Sequence, residues 1–333
     1  MTRIAMLGAG SWGSTFSLVL GDAGCDVVVW ARREEAARAI REEHRNAEYL
    51  GDVELPASVT ATANVAEALE AVDGVVLALP TQRLRDNLVG WKDDGIALPK
   101  VPVLSLAKGI ERGTDQRMSQ VIAEAVDVDP ALIAVLSGPN LAGEIAARQP
   151  SGSVIAAADE ALAHEVAAWC AAPGFRSYVS QDVVGVEIAG AMKNVIAIAV
   201  GAAVGLGYGT NTCSTLITRG LAEITRLGVV LGGHPATFAG LAGMGDLVAT
   251  CTSPLSRNHR LGHALGRGLD VEAALLEVGQ TAEGVATARA VDELAQRLDI
   301  DMPITKTLVG VVDHGVTIEE ATSYLLARSV RPE

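Results

Sequence analysis

Gly8-Ala9-Gly10-Ser11-Trp12-Gly13 follows the short apolar run Ile4–Leu7 and precedes a stretch typical of a buried helix. This order of strand, GxGxxG turn and helix is typical of the first part of a dinucleotide-binding sheet. In that arrangement Gly8 makes the tight turn, Gly10 lets the backbone approach a pyrophosphate, and Gly13 lets the helix pack closely on the strand. The unpaired N–H groups at the start of the helix would then face the phosphates.

The residues after the second predicted strand, Asp26–Trp30, bear on the choice between NAD and NADP. An NAD site usually places Asp or Glu about 20 residues after the glycines, where it binds the ribose 2′-OH. Here the strand is followed by Ala31, Arg32 and Arg33, and the first acid is Glu34. Two guanidinium groups suit a 2′-phosphate, although they would also serve as solvated residues that open a helix. We therefore expect NADPH to be used and NADH to be tolerated.

The N-terminal half of the chain repeats this alternation of strand and helix, with helical patterns such as Glu34–Glu43 and Thr114–Val126. Most predicted strands are apolar throughout, which is typical of a parallel sheet covered by helices on both faces. These strands are Ile4–Leu7, Asp26–Trp30, Ser58–Ala61, Gly74–Leu79, Pro102–Leu106, Leu132–Leu136 and Gly152–Ala157.

From Asp182 onward the sequence contains only helical patterns and no convincing strand. The predicted helices are Asp182–Val204, Cys213–Leu227, Arg257–Gly266, Val271–Val278, Ala286–Leu298 and Ile318–Ala327. The sequence therefore predicts an α/β protein: a Rossmann-like doubly wound sheet domain over residues 1–181, which would bind the dinucleotide, followed by an all-α C-terminal domain over residues 182–333, which would bind the substrate.

Composition excludes several classes of protein. The 333 residues are 49% apolar and 20% charged, which favours a large core. A net charge of −14 argues against nucleic-acid binding and means that an anionic substrate must meet a local cluster of cations and N–H groups. The 4 cysteines form no CxxC pair, so we expect no disulfide framework and no metal site. The longest uncharged apolar run, Asn194–Gly207, is shorter than the roughly 18 residues of a membrane span. We expect a cytoplasmic protein without a membrane span.

Four further segments place polar or charged residues in apolar surroundings. Lys108 follows the fifth predicted strand, at the edge where open α/β sheets bind ligands, and Asn140 follows the sixth, where it would also serve as a helix cap. Lys193 lies in the longest apolar helix and must pair, reach the surface or take part in chemistry. Asp246 lies in a glycine-rich turn. Ser256–Asn258 opens a helix and would form either a phosphate site or an ordinary cap.

Together these segments resemble the NAD(P)-dependent sn-glycerol-3-phosphate dehydrogenases of the bacterial type that supplies the phospholipid backbone. The sequence departs from the family pattern at Gly51, where Pro is frequent, and at Asn140, where many members carry Ser or Thr. The matching motifs occur in order over nearly the whole chain: GAGSWG at Gly8–Gly13, LAKGIE at Leu106–Glu111, SGPN at Ser137–Asn140, MKNVIAI at Met192–Ile198, GMGD at Gly243–Asp246, SRN at Ser256–Asn258, and Glu283-Gly284.

The resemblance implies a reaction and a role for each matching residue. The reaction is the reversible, NAD(P)H-dependent reduction of dihydroxyacetone phosphate to sn-glycerol 3-phosphate, with Lys193 as proton donor and acceptor and with Lys108 and Asp246 beside it. The residues implied in substrate binding are Lys108, Gly138, Asn140, Lys193, Asp246, Ser256, Arg257 and Asn258, the last three around the phosphate. Those implied in cofactor binding, besides Gly8, Gly10 and Gly13, are Ser11, Trp12, Arg32, Arg33, Tyr49, Lys108, Ala142, Arg257, Thr281 and Glu283.

Two other functions are open at the level of sequence. A 3-hydroxyacid or 6-phosphogluconate-type dehydrogenase would share both domains and a helix lysine, and the Ser256–Asn258 motif discriminates against it. A non-catalytic dinucleotide-sensing protein would not need Lys193, Asp246 and Arg257 together. The sequence leaves the oligomeric state open, with a homodimer as one expectation.

Overall fold

The computed structural model of the chain describes residues 1–279 and 283–327. The chain forms two compact units. The first comprises Met1–Lys108 and Gln116–Glu187, and the second comprises Gly109–Asp115 and Ile188–Glu333. The sequence placed the domain boundary between residues 181 and 182, whereas the first unit ends slightly later and inside a continuous helix. The assignment of the short segment 109–115 to the second unit was not anticipated.

The first unit is an α/β domain with one 8-stranded sheet. Its strands are β1 Arg3–Leu7, β2 Asp26–Trp30, β3 Val59–Thr62, β4 Gly74–Leu77, β5 Val103–Ser105, β6 Ile133–Ser137, β7 Ser151–Ala157 and β8 Phe175–Ser180. Its helices are α1 Ser11–Asp22, α2 Glu34–Glu43, α3 Ala47–Leu50, α4 Val65–Ala68, α5 Leu84–Asp93, α6 Met118–Val126, α7 Ala142–Ala146 and α8 Glu160–Trp169, with 3-10 turns at Thr81–Arg83 and Pro130–Leu132.

The strand order is β3-β2-β1-β4-β5-β6-β7-β8. Its first six strands follow the 3-2-1-4-5-6 order of dinucleotide-binding sheets, so the predicted Rossmann-like fold is confirmed. The sheet is not parallel throughout, because β7 runs antiparallel to β6 while β8 runs parallel to β7. Strand β8 was not predicted. As an edge strand it pairs with β7 alone, and only Phe175 of its six residues is fully buried, so its sequence lacks a continuous apolar run.

The sheet is covered on both faces, which explains why its central strands are apolar throughout. In β1, Ile4 and Met6 belong to one buried cluster, and Ala5 and Leu7 belong to another on the opposite face. Successive side chains of a strand point to opposite faces, so alternate residues of β1 are buried by helices on opposite faces of the sheet. The carboxyl end of β1 is thereby fixed, and the glycine turn begins there.

Within the described residues, the second unit contains helices and no strand. Its helices are α9 Val183–Gly205, whose first residues belong to the first unit, α10 Thr210–Val230, α11 Pro235–Ala239, α12 Asp246–Thr252, α13 Arg257–Gly266, α14 Val271–Val278, α15 Glu283–Arg297, α16 Pro303–His314 and α17 Ile318–Leu326, with a π-helical turn at Leu241–Gly245. The predicted all-α domain is confirmed. Helices α11, α12 and α16 were not predicted. Valine, isoleucine and threonine are frequent in α16 and weaken its helical signal.

Helices α9 and α13 pack backbone against backbone. A Cβ atom on Gly262 would lie 1.9 Å from the carbonyl oxygen of Ile198, and one on Gly201 would lie 2.1 Å from that of His259. A Cβ atom on Gly205 or Gly266 would likewise overlap a backbone carbonyl oxygen of the other helix. Such glycines, spaced four residues apart on both helices, allow a close crossing. Helix α13 is therefore held against the C-terminal half of α9.

By length and composition, α9 is apolar enough to cross a membrane, but 83% of its most apolar window is buried inside the structure. A helix that is hydrophobic on all sides and buried in this way serves as a core helix. Its polar residues are consequently few, and each of them needs a partner.

Candidate functional site

The glycine turn after β1 has one side closed by the protein and one side open. Gly8 has φ +127°, and a Cβ atom there would lie 2.5 Å from the carbonyl oxygen of Ala78. A Cβ on Gly13 would lie 1.9 Å from the carbonyl oxygen of Gly8. In front of Gly10, by contrast, no atom of the described chain lies within 4 Å of a Cβ position. Packing thus explains Gly8 and Gly13, and Gly10 leaves space for a ligand at the start of α1.

Two other segments contact this turn and the first residues of α1, one on each side. The carboxamide of Asn46, just before α3, donates to the carbonyl oxygen of Ala9 at 2.9 Å and to the Ser14 hydroxyl at 2.8 Å. On the other side, the Thr15 hydroxyl lies 3.5 Å from the carbonyl oxygen of Ala142, the first residue of α7. The structure therefore brings Ala142 and the α3 segment, which carries Tyr49, to the first turns of α1.

The two arginines after β2 are both exposed. Arg33 forms an ion pair with Glu48 of α3, and this contact raises the pKa of the guanidinium and lowers the pKa of the Glu48 carboxyl. Burial and the charge of Glu48 raise the pKa of the neighbouring Tyr49. Arg32, Arg33 and Tyr49 thus lie in one surface region of the first unit.

Lys108 follows β5 and contacts the loop after β6. Its ammonium donates to the carbonyl oxygen of Gly138 at 3.1 Å and to Oδ1 of Asn140 at 3.4 Å. The Ser153 hydroxyl also donates to Asn140 Oδ1, at 3.1 Å. Asn140 does not cap α7, whose N-cap is Leu141, so the expectation that it caps this helix is wrong. Its carboxamide instead joins the loops after two neighbouring strands.

Five buried side-chain polar atoms in this unit have no hydrogen-bond partner among the described residues, and two of them belong to predicted site residues: Nε1 of Trp12 and Nδ2 of Asn140. Buried donors are nearly always satisfied in native proteins, and an orphaned donor needs an explanation such as a ligand. Trp12 lies in the first turn of α1, next to the open space at Gly10. The residues present therefore fit a dinucleotide, whose phosphates would lie against the N-terminus of α1.

In the second unit, Lys193 of α9 and Asp246 of α12 form a buried ion pair. The side chain of Lys193 is 9% exposed and that of Asp246 is 1% exposed. The Thr250 hydroxyl, one turn further along α12, lies 3.3 Å from Asp246 Oδ1. Asp246 follows the π-helical turn Leu241–Gly245, and such turns are frequent at functional sites. Lys193 therefore pairs with Asp246, one of the fates that the sequence left open.

Next to this pair, three elements are joined by buried amides. Nδ2 of Asn258 donates to Oδ1 of Asn194 at 2.9 Å, and the backbone N–H of Gly284 donates to Oδ1 of Asn258 at 3.1 Å. Asn194 and Asn258 are both largely buried. The Asn258 side chain thus links α9, α13 and the start of α15, which carries Glu283. Sequence reasoning assigned no role to Asn194, although its position beside Lys193 in an apolar helix was a signal.

The start of α13 has the form of an anion site. Ser256 is the N-cap, and its hydroxyl accepts from the N–H of His259 at 3.2 Å. Arg257, the first residue of the helix, is exposed. Capping, one of the two interpretations of this motif, is therefore confirmed for Ser256. The assignment of a phosphate to this helix start stays a prediction.

The predicted site residues fall into two groups. The cofactor group, together with Lys108, Gly138 and Asn140, lies in the first unit, and Lys193, Asp246, Ser256, Arg257, Asn258 and Glu283 lie in the second. Thr281 lies outside the described residues. The functional role of every residue in both groups stays a prediction.

Two family models match the chain. The model of the NAD-dependent glycerol-3-phosphate dehydrogenase N-terminus matches residues 3–163, and that of the C-terminus matches residues 182–323. Among relatives, the glycerol-3-phosphate dehydrogenase (NAD(P)+) of Nocardia farcinica is 54% identical over 100% of both chains. That of Streptomyces avermitilis is 51% identical over 99% of this chain and 98% of its own. A solved glycerol-3-phosphate dehydrogenase from Coxiella burnetii is 35% identical, with a TM-score of 0.91 over 98% of this chain and 99% of that one.

Proposed function

Since the chain belongs to the NAD-dependent glycerol-3-phosphate dehydrogenase family, we propose that it reduces dihydroxyacetone phosphate to sn-glycerol 3-phosphate with NADPH or NADH. The observation that carries this proposal is the buried pair of Lys193 and Asp246. A reduction of this kind adds a hydride to the carbonyl carbon and a proton to the carbonyl oxygen, and a buried ammonium can supply the proton.

The bound cofactor would supply the hydride. Addition of a hydride leaves negative charge on the substrate oxygen, and a positive group aimed at that oxygen stabilises the transition state. The Lys193 ammonium has three N–H donors, of which the pair with Asp246 uses one. Lys193 would therefore donate to the substrate oxygen, transfer its proton as the charge develops, and recover a proton from water after turnover.

Asp246 would keep Lys193 in one position and compensate its charge while the site is empty of substrate. A lysine buried without a partner tends to lose its proton or to reach for solvent, and either change would remove the acid. Thr250 supports the same carboxylate oxygen from the following turn of α12. Asp246 thus acts on the reaction by holding the proton donor.

The substrate phosphate would bind at the start of α13. The backbone N–H groups of the first turn and the exposed guanidinium of Arg257 offer donors and positive charge. With a net charge of −14, the chain needs a local cationic site to bind an anionic substrate, and these groups would form one. Ser256 and Asn258 would shape this site chiefly by ordering the start of α13, since their side chains already bond within the chain.

The first unit would hold the cofactor. The open face of Gly10, the uncapped start of α1 and the orphaned Trp12 Nε1 support a dinucleotide there. Lys108, Gly138 and Asn140 would complete the site at the ends of β5 and β6. Supply of the glycerophospholipid backbone, a cytoplasmic location and a homodimer belong to this proposal as well.

The experiment is a reduction assay with purified full-length chain. Loss of reduced-nicotinamide absorbance on addition of dihydroxyacetone phosphate, with sn-glycerol 3-phosphate as the product, is the expected result. A 3-hydroxyacid and 6-phosphogluconate with the oxidised cofactors serve as controls. Turnover of a control substrate without turnover of dihydroxyacetone phosphate would overturn the proposal, and so would cofactor binding without any turnover.

A further inference from the structure

The two arginines after β2 differ in what they contact. Arg33 forms an ion pair with Glu48, while Arg32 forms no ion pair within residues 1–279 and 283–327. Both guanidinium groups were assigned to a ribose 2′-phosphate from the sequence, and Glu48 was assigned no role. Because the Glu48 carboxylate is already bonded to Arg33, it affects how Arg33 can bind a 2′-phosphate.

Glu48 is held in place relative to the cofactor turn. It lies in α3, and Asn46, just before α3, is bonded to the carbonyl oxygen of Ala9 inside the GxGxxG turn and to Ser14 of α1. Asn46 is 4% exposed, so these bonds are shielded from water. The backbone that carries Glu48 is therefore anchored to the same turn that would hold the pyrophosphate.

This anchoring brings a carboxylate to the end of β2 by a different route from the usual one. In NAD-binding sheets an acid at the end of the second strand accepts a hydrogen bond from the ribose 2′-OH. Here arginine occupies that position, and the acid comes from α3. The bond to Arg33 lowers the pKa of the Glu48 carboxyl, so it is ionised at neutral pH.

We propose that Glu48 sets the preference between NADPH and NADH by competing with the ribose 2′-phosphate for Arg33. A 2′-phosphate approaching Arg33 meets a carboxylate of like charge and must share or displace its contact. NADH has no such phosphate, and its 2′-OH can donate to the same carboxylate. Arg32 is then the guanidinium that receives a 2′-phosphate without losing an ion pair. This inference rests on the cofactor part of the proposed function.

The test measures nucleotide binding directly. Dissociation constants for 2′,5′-ADP and for ADP are measured by calorimetry on the wild type, Glu48→Gln and Glu35→Gln. Glu35 is an exposed acid in the first turn of α2 that acts on Arg33 through its charge, so its variant makes the same change in net charge and leaves the ion pair of Arg33 with Glu48 in place. We expect Glu48→Gln, relative to Glu35→Gln, to raise the preference for 2′,5′-ADP over ADP by about two- to fivefold, as suits an exposed ion pair.

The same comparison in an Arg33→Ala background completes a double-mutant cycle. We expect the effect of Glu48→Gln to disappear there, because the competed group is gone. Equal preferences in Glu48→Gln and Glu35→Gln would overturn the proposal, and so would a Glu48→Gln effect that persists without Arg33. These measurements need no turnover, so failure to reduce dihydroxyacetone phosphate would count against the proposed reaction and leave the result on Glu48 unaffected.

Discussion

Lys193 and Asp246 are 53 residues apart in the sequence and form an ion pair from which water is almost excluded. Burial of two charges is costly, and an ion pair of this kind is seldom more stable than an apolar pair of similar size. An ion pair placed at this cost inside α9 supports the proposed role of Lys193 in catalysis.

Arg257 is expected to act on the substrate phosphate. Arg257→Ala should raise the KM for dihydroxyacetone phosphate by about 10- to 100-fold, as loss of a hydrogen bond between charged groups would. Arg260 lies in the same helix and is also exposed, so Arg260→Ala is the matched control for charge. Steady-state kinetics on both variants measures this difference. Equal KM values for the two variants would show that the substrate phosphate does not bind at the start of α13.

We expect Asn258 to support the site chiefly through its hydrogen bonds inside the protein and less through contact with the substrate. Asn258→Ala would leave Oδ1 of Asn194 and the N–H of Gly284 without partners in the protein interior. Each buried orphan costs about 1–3 kcal/mol, so the free energy of unfolding should fall by at least that amount. Denaturant titration measures the loss. A variant as stable as the wild type, with only KM changed, would show that Asn258 is a direct phosphate ligand instead.

The close crossing of α9 and α13 is expected to be intolerant of a methyl group. Gly262→Ala places a Cβ at 1.9 Å from a backbone oxygen of α9 and should destabilise the chain by about 1–3 kcal/mol or more. Gly90, inside the exposed face of α5, has no atom within 4 Å of a Cβ position. Gly90→Ala should therefore stabilise by about 0.5–1 kcal/mol. Thermal unfolding of the two variants should move in opposite directions, and a Gly262→Ala protein of unchanged stability would contradict the packing.

Glu223 is expected to make the stability of the second unit depend on pH. Its buried carboxyl accepts from the N–H of Ile304 at 2.6 Å at the start of α16, and burial raises its pKa to about 7. Because this pKa lies above that of the unfolded chain, the stabilisation is full below about pH 4.5 and is lost as the pH rises toward 7. The difference in unfolding free energy between wild type and Glu223→Gln should fall by on the order of 3 kcal/mol across that range. A difference that is flat or rises with pH would refute this.

Much of the fold could be predicted because its signals are local. The strands β1, β2 and β4 to β7 are apolar on both faces, and α13 and α14 begin and end where their caps predict. Strand β8 was missed because one neighbour and partial exposure leave it with a mixed sequence. Helix α12 was missed because Asp246 follows glycines that resemble a turn, and only the π-helical geometry continues the chain into a helix.

The residue types of the site could be predicted, and the family resemblance placed Asp246 beside Lys193, but the other contacts of the site residues could not be predicted. A lysine in an apolar helix and a carboxylate after glycines both indicate buried charge, and Lys193 and Asp246 do form an ion pair. The hydrogen bond from Asn258 to Asn194 joins residues that are 64 positions apart in the sequence. It depends on the close glycine contact between α9 and α13, which no local sequence pattern encodes. The ion pair of Arg33 with Glu48 likewise depends on where Asn46 anchors α3.

The Lys193→Gln variant tests whether Lys193 donates the proton to the substrate oxygen. Gln keeps a hydrogen-bond donor for Asp246, whereas Ala would leave that carboxylate buried and unpaired at a cost of about 3–5 kcal/mol. Single-turnover reduction of dihydroxyacetone phosphate by prebound NADPH should slow by about 10²–10⁴-fold, with the affinity for NADPH unchanged. A Lys193→Gln protein that transfers the hydride at near the wild-type rate would show that Lys193 is not the proton donor.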